Sequence, residues 1–320
     1  MWLEEYELLL RDPSPEAFQA AVRLKAENRP SSVFRYRQVT DTSLDSLRRG
    51  YVWLSHPQSF NDGYDSAAYV DFDHCMAVSF RRDVNSVIAE HSLSAAFSEA
   101  DIRSIVDSSD PIATFGALLL REEGSLAGID PKALLDGLSF VRRKQLKDLE
   151  EAIFEMPRRA LLVCCFAASG AVPALWAHYA GNSSGFCIEY DVARLPPDDI
   201  RLRLLLPVIY GRAPADATFM FDAGLLHGPN SLTVRWPILA ASYKDRHWSY
   251  EQEWRLVDPA GAHPSGGRAV PMPMKAVYLG PRITDEDAAK VRQAAQVHNL
   301  QVFRMQVGKD ASTLSVMRPI

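Results

Sequence analysis

The stretch His247-Trp248-Ser249-Tyr250-Glu251-Gln252-Glu253-Trp254-Arg255 constrains this chain more than any other. Its aromatic density predicts a strand, and successive side chains on a strand alternate between faces. Glu251, Glu253 and Arg255 then share one face, and Tyr250, Gln252 and Trp254 the other. Two carboxylates side by side repel unless a cation or a reacting group makes use of them, so the candidate site starts here. The competing reading is a solvated strand on which Arg255 simply pairs with Glu253.

The length of 320 residues allows one large domain or two small ones with a sizeable core. A net charge of −5 argues against a protein that coats nucleic acid. Cys75, Cys164, Cys165 and Cys187 show neither a C-x-x-C pair nor a Cys/His ligand spacing, so no metal site is expected. Reduced, partly buried thiols in a cytoplasmic protein are the simplest reading. The first residues, MWLEEYELLLRD, are acidic and offer no cleavage site, so no signal peptide is expected. No apolar run reaches the ~18 residues a membrane span needs, so no membrane partner is expected.

In chain order, residues 1–30 read as a helical N-terminal extension, broken at Pro13 and Pro15. Val33 to Val39 reads as a strand with Phe34 and Tyr36 on one face and Arg35 and Arg37 on the other. Paired guanidinium forks suit a phosphate or carboxylate, which they bind bidentately. Thr42 to Arg49 is a short helix stopped by Gly50, and Tyr51 to Ser55 another strand. In the loop that follows, Asn61 and Asp62 either build a turn or line a pocket mouth.

Residues at about 84–160 form an all-helical insertion, with stops near Gly124 and Gly128, and carry no chemistry. Leu161 to Ala167 is a buried strand and Pro173 to Ala180 a short helix with Trp176, Tyr179 and Ala180 on one side and His178 off that stripe. Phe186 to Tyr190, Leu204 to Tyr210 and Lys275 to Leu279 continue the sheet, and Leu300 to Gln306 reads as its final strand. Residues 211–237 are loop-like, Leu239 to Lys244 a short helix, and Gly261 to Gly267 a loop. A further helix begins at Thr284. The pattern is that of a single α+β domain over residues 31–320 with the helical insertion inside it.

The ordered set Phe-Arg-Tyr-Arg (34–37), Leu-Ser-His-Pro (54–57), Phe-Asn-Asp (60–62), Trp-Ala-His-Tyr (176–179), Gly-Phe-Cys-Ile-Glu-Tyr (185–190) and Tyr-Glu-Gln-Glu-Trp-Arg (250–255) resembles the bacterial domain-of-unknown-function family 2971. That pattern is similar to the one in ADP-ribosyltransferases: an Arg on an early strand, a Ser or aromatic residue in the middle, and a Glu-x-Glu on a late strand. The resemblance implies a mixed, mostly antiparallel split sheet of the ADP-ribosyltransferase type, with NAD as substrate. It implies that Glu253 stabilises the charge that develops on the ribose and that Glu251 orients and deprotonates an acceptor side chain. Arg35 or Arg37 would hold the phosphates, and Tyr36, Ser55, Asn61, Asp62, Trp176, His178, Tyr179 and Tyr250 would complete the NAD site, with stacking by Tyr36, Trp176 or Tyr179.

The acceptor implied is a protein, with nucleic acid disfavoured by the acidic balance, and the biology implied is a toxin, effector or defence enzyme. Such proteins also reach a host or target cell without a cleavable leader. No G-x-G-x-x-G follows a strand, which argues against a dehydrogenase. Two alternatives remain open from the residues alone. Asp62, Glu251 and Glu253 would hold Mg²⁺ in a nuclease or phosphoesterase. Arg35, Arg37, Glu251, Glu253 and Arg255 would form a structural ion-pair network in a non-catalytic binding module.

Overall fold

The computed structural model describes residues 2–12, 14–90, 97–122, 131–211, 214–221, 235–259, 266–307 and 314–319. The chain separates into two compact units: Met1–Ala67 with Met156–Ala215 and Pro237–Ile320, and Ala68–Glu155 with Asp216–Trp236. The stops expected near Gly124 and Gly128, and most of the loop expected over 261–267, lie outside the described residues.

The first unit is built on a ten-stranded open sheet. Its strands are β1 (Ser32–Arg37), β2 (Tyr51–Ser55), β3 (Leu162–Ala167), β4 (Phe186–Asp191), β5 (Leu205–Pro207), β6 (Glu253–Asp258), β7 (Gly267–Pro271), β8 (Met274–Leu279), β9 (Gln301–Val307) and β10 (Leu314–Pro319). The order is β7-β2-β3-β1-β4-β8-β9-β10, with β6 paired to β3 and β5. Only β8 and β9 run parallel; the other pairings in this sheet are antiparallel. The sheet therefore joins an α+β architecture, and β9 is followed by a further strand rather than ending the sheet.

One feature of the pairing positions the site. β3 bonds β6 along its whole length, from Leu162↔Asp258 to Ala167↔Glu253. On its other edge it meets β1 at Phe34↔Ala167 and β2 at Ser55↔Val163. Between those two points the sheet is split.

Helices flank this unit: α1 (Trp2–Arg11), α2 (Pro15–Asn28) and α3 (Asp41–Arg49) early in the chain. Pro15 at the first turn and the Ser14 side chain accepting from Ala17 N start α2 where the sequence predicts. α3 is closed by Gly50 at φ 69°, a left-handed backbone that glycine adopts without penalty. The main core joins Val33, Leu54, Phe186 and Trp254 of the sheet to Leu44 and Leu47 of α3.

The second unit is helical: α4 (Phe72–Glu90), α5 (Glu99–Asp107), α6 (Pro111–Glu122) and most of α7 (Pro131–Ala160). Val84, Ile88, Phe97 and Ile105 form its core, and the Phe97 and Phe115 rings stack at 5.0 Å. Helix begins at Phe72, twelve residues before the expected start at 84. The first unit resumes with α8 (Pro173–Tyr179), α9 (Ile200–Leu204), most of α10 (Arg235–Ser242) and α11 (Asp285–Gln296).

Two local expectations are corrected. Leu239 to Lys244 is not one helix: α10 ends at Ser242, and Tyr243–Asp245 is a short strand parallel to Ile209–Gly211. Nor is 247–255 one strand. Arg246–Glu251 is a 3₁₀ turn, Gln252 is left-handed at φ 45° and ψ 54°, and the strand begins at Glu253. Asp245 accepts from His247 N and so starts the turn, a local hydrogen bond that competes with strand pairing.

Candidate active site

Glu253 and Arg255 share a face of β6, as strand alternation requires. Glu251 joins them by another route: the left-handed Gln252 reverses the chain, so Glu251 at the end of the 3₁₀ turn reaches the same cation as Glu253. That conformation costs a non-glycine residue on the order of 1 kcal/mol. The cation is Lys244, whose Nζ donates to Glu251 Oε2 at 2.5 Å and Glu253 Oε2 at 3.0 Å, and lies 4.9 Å from the Trp248 ring centre.

The carboxylates are not on a solvated face. Glu251 and Glu253 are each 4% exposed and Arg255 is fully buried. Arg255 Nε donates to Glu253 Oε1 at 2.8 Å, while its two terminal nitrogens form a fork on Asp65, at 2.8 and 2.7 Å. Nη1 also meets Ala241 O and Ser66 Oγ, and Nη2 also donates to Glu253 Oε2 at 3.2 Å. A buried chain of charges thus runs Asp65–Arg255–Glu253–Lys244–Glu251, and Tyr179 Oη caps it on Glu251 Oε1 at 2.9 Å. With every member ionised, three carboxylates face two cations.

The two glutamates are shifted in opposite directions. Burial pushes Glu253 up, but the charges of Arg255 and Lys244 outweigh it and hold the carboxyl at about 2. Burial also pushes Glu251 up; Lys244 opposes this, the Glu253 charge adds to it, and the net shift is upward. Environments that drive two neighbouring carboxyls apart are how acid–base sites divide roles.

These residues line a cleft of about 220 Å³. From β1, Arg35, Tyr36 and Arg37 line it; from the split in the sheet, Ser55, Cys165 and Phe166; from loops and α8, Asn61, Asp65 and Tyr179; and Lys244, Glu251 and Glu253 complete it. Arg35 and Arg37 are half-buried and, among the described residues, neither pairs with a carboxylate. Arg35 Nη1 donates only weakly, to Trp53 O at 3.4 Å. Burial and the neighbouring Arg35 charge both push the Arg37 guanidinium down, whereas Arg35 itself is shifted up.

Of the twelve residues anticipated, eight line the cleft: Arg35, Tyr36, Arg37, Ser55, Asn61, Tyr179, Glu251 and Glu253. Tyr36 is a core residue as well, its Oη donating to Ser169 O and accepting from Val172 N. The other four lie elsewhere. Trp176 is buried, donates to Gly170 O and meets Tyr36 edge-on, so its ring has no face for a ligand. Asp62 closes a turn by accepting from Tyr64 N. His178 is exposed, and Tyr250 lies 6.4 Å from it outside the cleft.

Asp65, Cys165 and Lys244 were not anticipated as site residues. Asp65 sits three residues after the Asn-Asp signal, and Lys244 seven before Glu251; neither spacing belongs to a regular element, so no periodicity pointed to them. The oxygen trio for Mg²⁺ does not assemble, because Asp62 is elsewhere and the glutamate oxygens are taken by Lys244 and Arg255.

Residues 175–256 match the model of a protein family described as a protein of unknown function, DUF2971. The segment contains most of α8, all of β4 and the turn and first strand residues that carry Lys244, Glu251, Glu253 and Arg255. Arg35 and Arg37 lie before it. No curated protein and no solved structure matches the chain.

Proposed function

We propose that the chain binds NAD in this cleft and cleaves its nicotinamide–ribose bond, as an ADP-ribosyltransferase or an NAD glycohydrolase. The observation that carries the reading is one cleft lined at once by two arginines that pair with no carboxylate among the described residues and by two glutamates whose proton affinities are shifted in opposite directions. NAD matches this polarity, with a diphosphate for the arginines and a cationic pyridinium for a cluster whose formal charge is −1.

In this reading the guanidinium forks of Arg35 and Arg37 hold the diphosphate. As the C1′–N bond breaks, positive charge grows on the ribose, and Glu253, ionised at any physiological pH, stabilises it electrostatically. Lys244 and Arg255 fix that carboxylate in place before the reaction, so little reorganisation is needed. Glu251, with its raised affinity for a proton, accepts the proton that the acceptor sheds. Tyr179 orients Glu251.

The test is incubation of the full chain with adenylate-labelled NAD, following nicotinamide release and label transfer to protein. The expected result is turnover that falls at least about a hundredfold in Glu253→Gln with the circular dichroism unchanged, an effect of the size seen when one transition-state contact is lost. A folded Glu253→Gln protein with full activity refutes the reading. A second reading, that the buried chain of charges only fixes the architecture, draws on the complete engagement of Arg255. It predicts no NAD binding at all in calorimetry.

A further inference from the structure

The Glu251/Glu253 pair is not an open acidic site, because its cation position is filled from within. Lys244 Nζ bridges the two carboxylates at 2.5 and 3.0 Å and reaches Asp65 at 4.0 Å. It is 5% exposed, its stem covered and its ammonium set over Trp248. On the far side Arg255 Nε pairs with Glu253 Oε1 at 2.8 Å. An incoming guanidinium or ammonium would have to displace Lys244, leaving a buried ammonium without its partners, or sit beside it at like-charge distance. Both are strongly disfavoured in a site of low dielectric. Among the described residues only Tyr179 Oη donates to Glu251 Oε1, and a hydroxyl contact of that kind is one a neutral donor can join or replace.

Building on the NAD-cleaving reading, we infer that the acceptor is an uncharged nucleophile, water or a hydroxyl group, and that Lys244 excludes cationic acceptors by occupying their seat between Glu251 and Glu253. This departs from the protein acceptor side chain that the resemblance to ADP-ribosyltransferases implies. The step balances as follows. The C1′–N bond breaks and its electron pair leaves on the nicotinamide nitrogen, which becomes neutral. A lone pair of the acceptor oxygen forms the new C1′–O bond, and the O–H proton passes to the Glu251 carboxylate and then to solvent.

The experiment incubates the full chain with labelled NAD in buffer alone, with methanol as a neutral nucleophile, or with agmatine as a guanidinium nucleophile. Nicotinamide and the ADP-ribosyl products are separated by chromatography. The expected result is ADP-ribose in buffer, methyl ADP-ribose with methanol, and no agmatine adduct. Lys244→Ala, which vacates the seat, is expected to form the agmatine adduct at least tenfold faster than wild type. An agmatine adduct formed by wild type at a rate comparable with hydrolysis overturns the inference while leaving NAD cleavage standing. So does a folded Lys244→Ala protein that releases nicotinamide but yields no agmatine adduct. Absence of nicotinamide release in every wild-type mixture overturns NAD cleavage and this inference with it. The wild-type arm decides without any variant.

Discussion

Replacing Arg255 by Met keeps most of the side-chain volume and removes the charge at the centre of the buried chain. Arg255 is fully buried and spends its donors on Asp65, Glu253, Ser66 and Ala241 O. Without it, Asp65 keeps Ser66 and a Lys244 ammonium 4.0 Å away, and Glu253 keeps Lys244 and the Cys165 thiol. The formal charge of the cluster goes from −1 to −2. Breaking a buried ion pair by removing one partner costs about 3–5 kcal/mol, a large share of a typical stability of about 5–15 kcal/mol. Loss of its strongest stabilising charge lets burial raise the Glu253 pKa. A folded pKa raised above the unfolded one gives stability present at low pH and lost as pH rises, so the deficit of Arg255→Met is larger at pH 8 than at pH 5. The assay is equilibrium urea denaturation of wild type, Arg255→Met and Asp65→Asn/Arg255→Met at both pH values. Removing the second charge should return about 1–3 kcal/mol, since the two sites are in direct contact. A loss under about 1 kcal/mol, or a double variant no more stable than Arg255→Met, would refute the claim that buried charge balance holds this part of the sheet.

Other outcomes follow from single residues. Arg37→Ala breaks no ion pair among the described residues, so stability should change by less than about 1 kcal/mol, whereas NAD affinity measured by calorimetry should fall about 10- to 100-fold, the weight of a charged hydrogen bond. The proton-linked acid limb of the turnover rate should lie above pH 4.5, where the raised Glu251 pKa places it, and should vanish in Glu251→Gln; Glu253, held at about 2, contributes no limb in the measured range. Gly185→Ala puts a Cβ 2.1 Å from Arg37 O and 2.9 Å from Ala180 O, so the end of β1 must shift. Thermal unfolding should fall by several degrees, and NAD affinity should fall with it because Arg37 rides on that strand.

What was legible in the sequence was whatever regular geometry governs. The β1 arginines, the Pro15 helix start, the Gly50 stop and the shared face of Glu253 and Arg255 all follow from local rules, and each is found in place. Glu251 is the instructive case. Alternation along a continuous strand assigned it to the face of Glu253, and it does meet the same lysine, yet by a 3₁₀ turn and a left-handed Gln252 that alternation does not contain. Trp176 shows the opposite failure: an i, i+3 stripe cannot tell a ring presented to a ligand from one edge-on to Tyr36 in the core. Asp65 and Lys244 were illegible because what selects them is a tertiary charge balance. A buried Arg255 demands a carboxylate and two buried glutamates demand a cation, but the burial itself appears only in the fold.

The split in the sheet explains why the two kinds of charge meet without cancelling. Had β1 paired with β3 along its length, Arg35 and Arg37 would lie on a continuous surface beside β6, within reach of the glutamates. Instead β1 touches β3 at Ala167 and turns to pair fully with β4, while β2 touches β3 only at Val163. Along that edge no described strand pairs with Cys164, Cys165 or Phe166, and the cleft opens there. The acidic cluster meets its own cations, Lys244 and Arg255, on the β6 side, and the arginines are left across the gap, paired with no carboxylate among the described residues. A sheet meant only to be stable would close that gap, since each strand pairing forgone leaves backbone donors and acceptors to be satisfied some other way. Kept open, the gap sets guanidinium groups that pair with no carboxylate among the described residues on one wall and an internally balanced carboxylate pair on the other, the arrangement on which the proposed NAD reading rests.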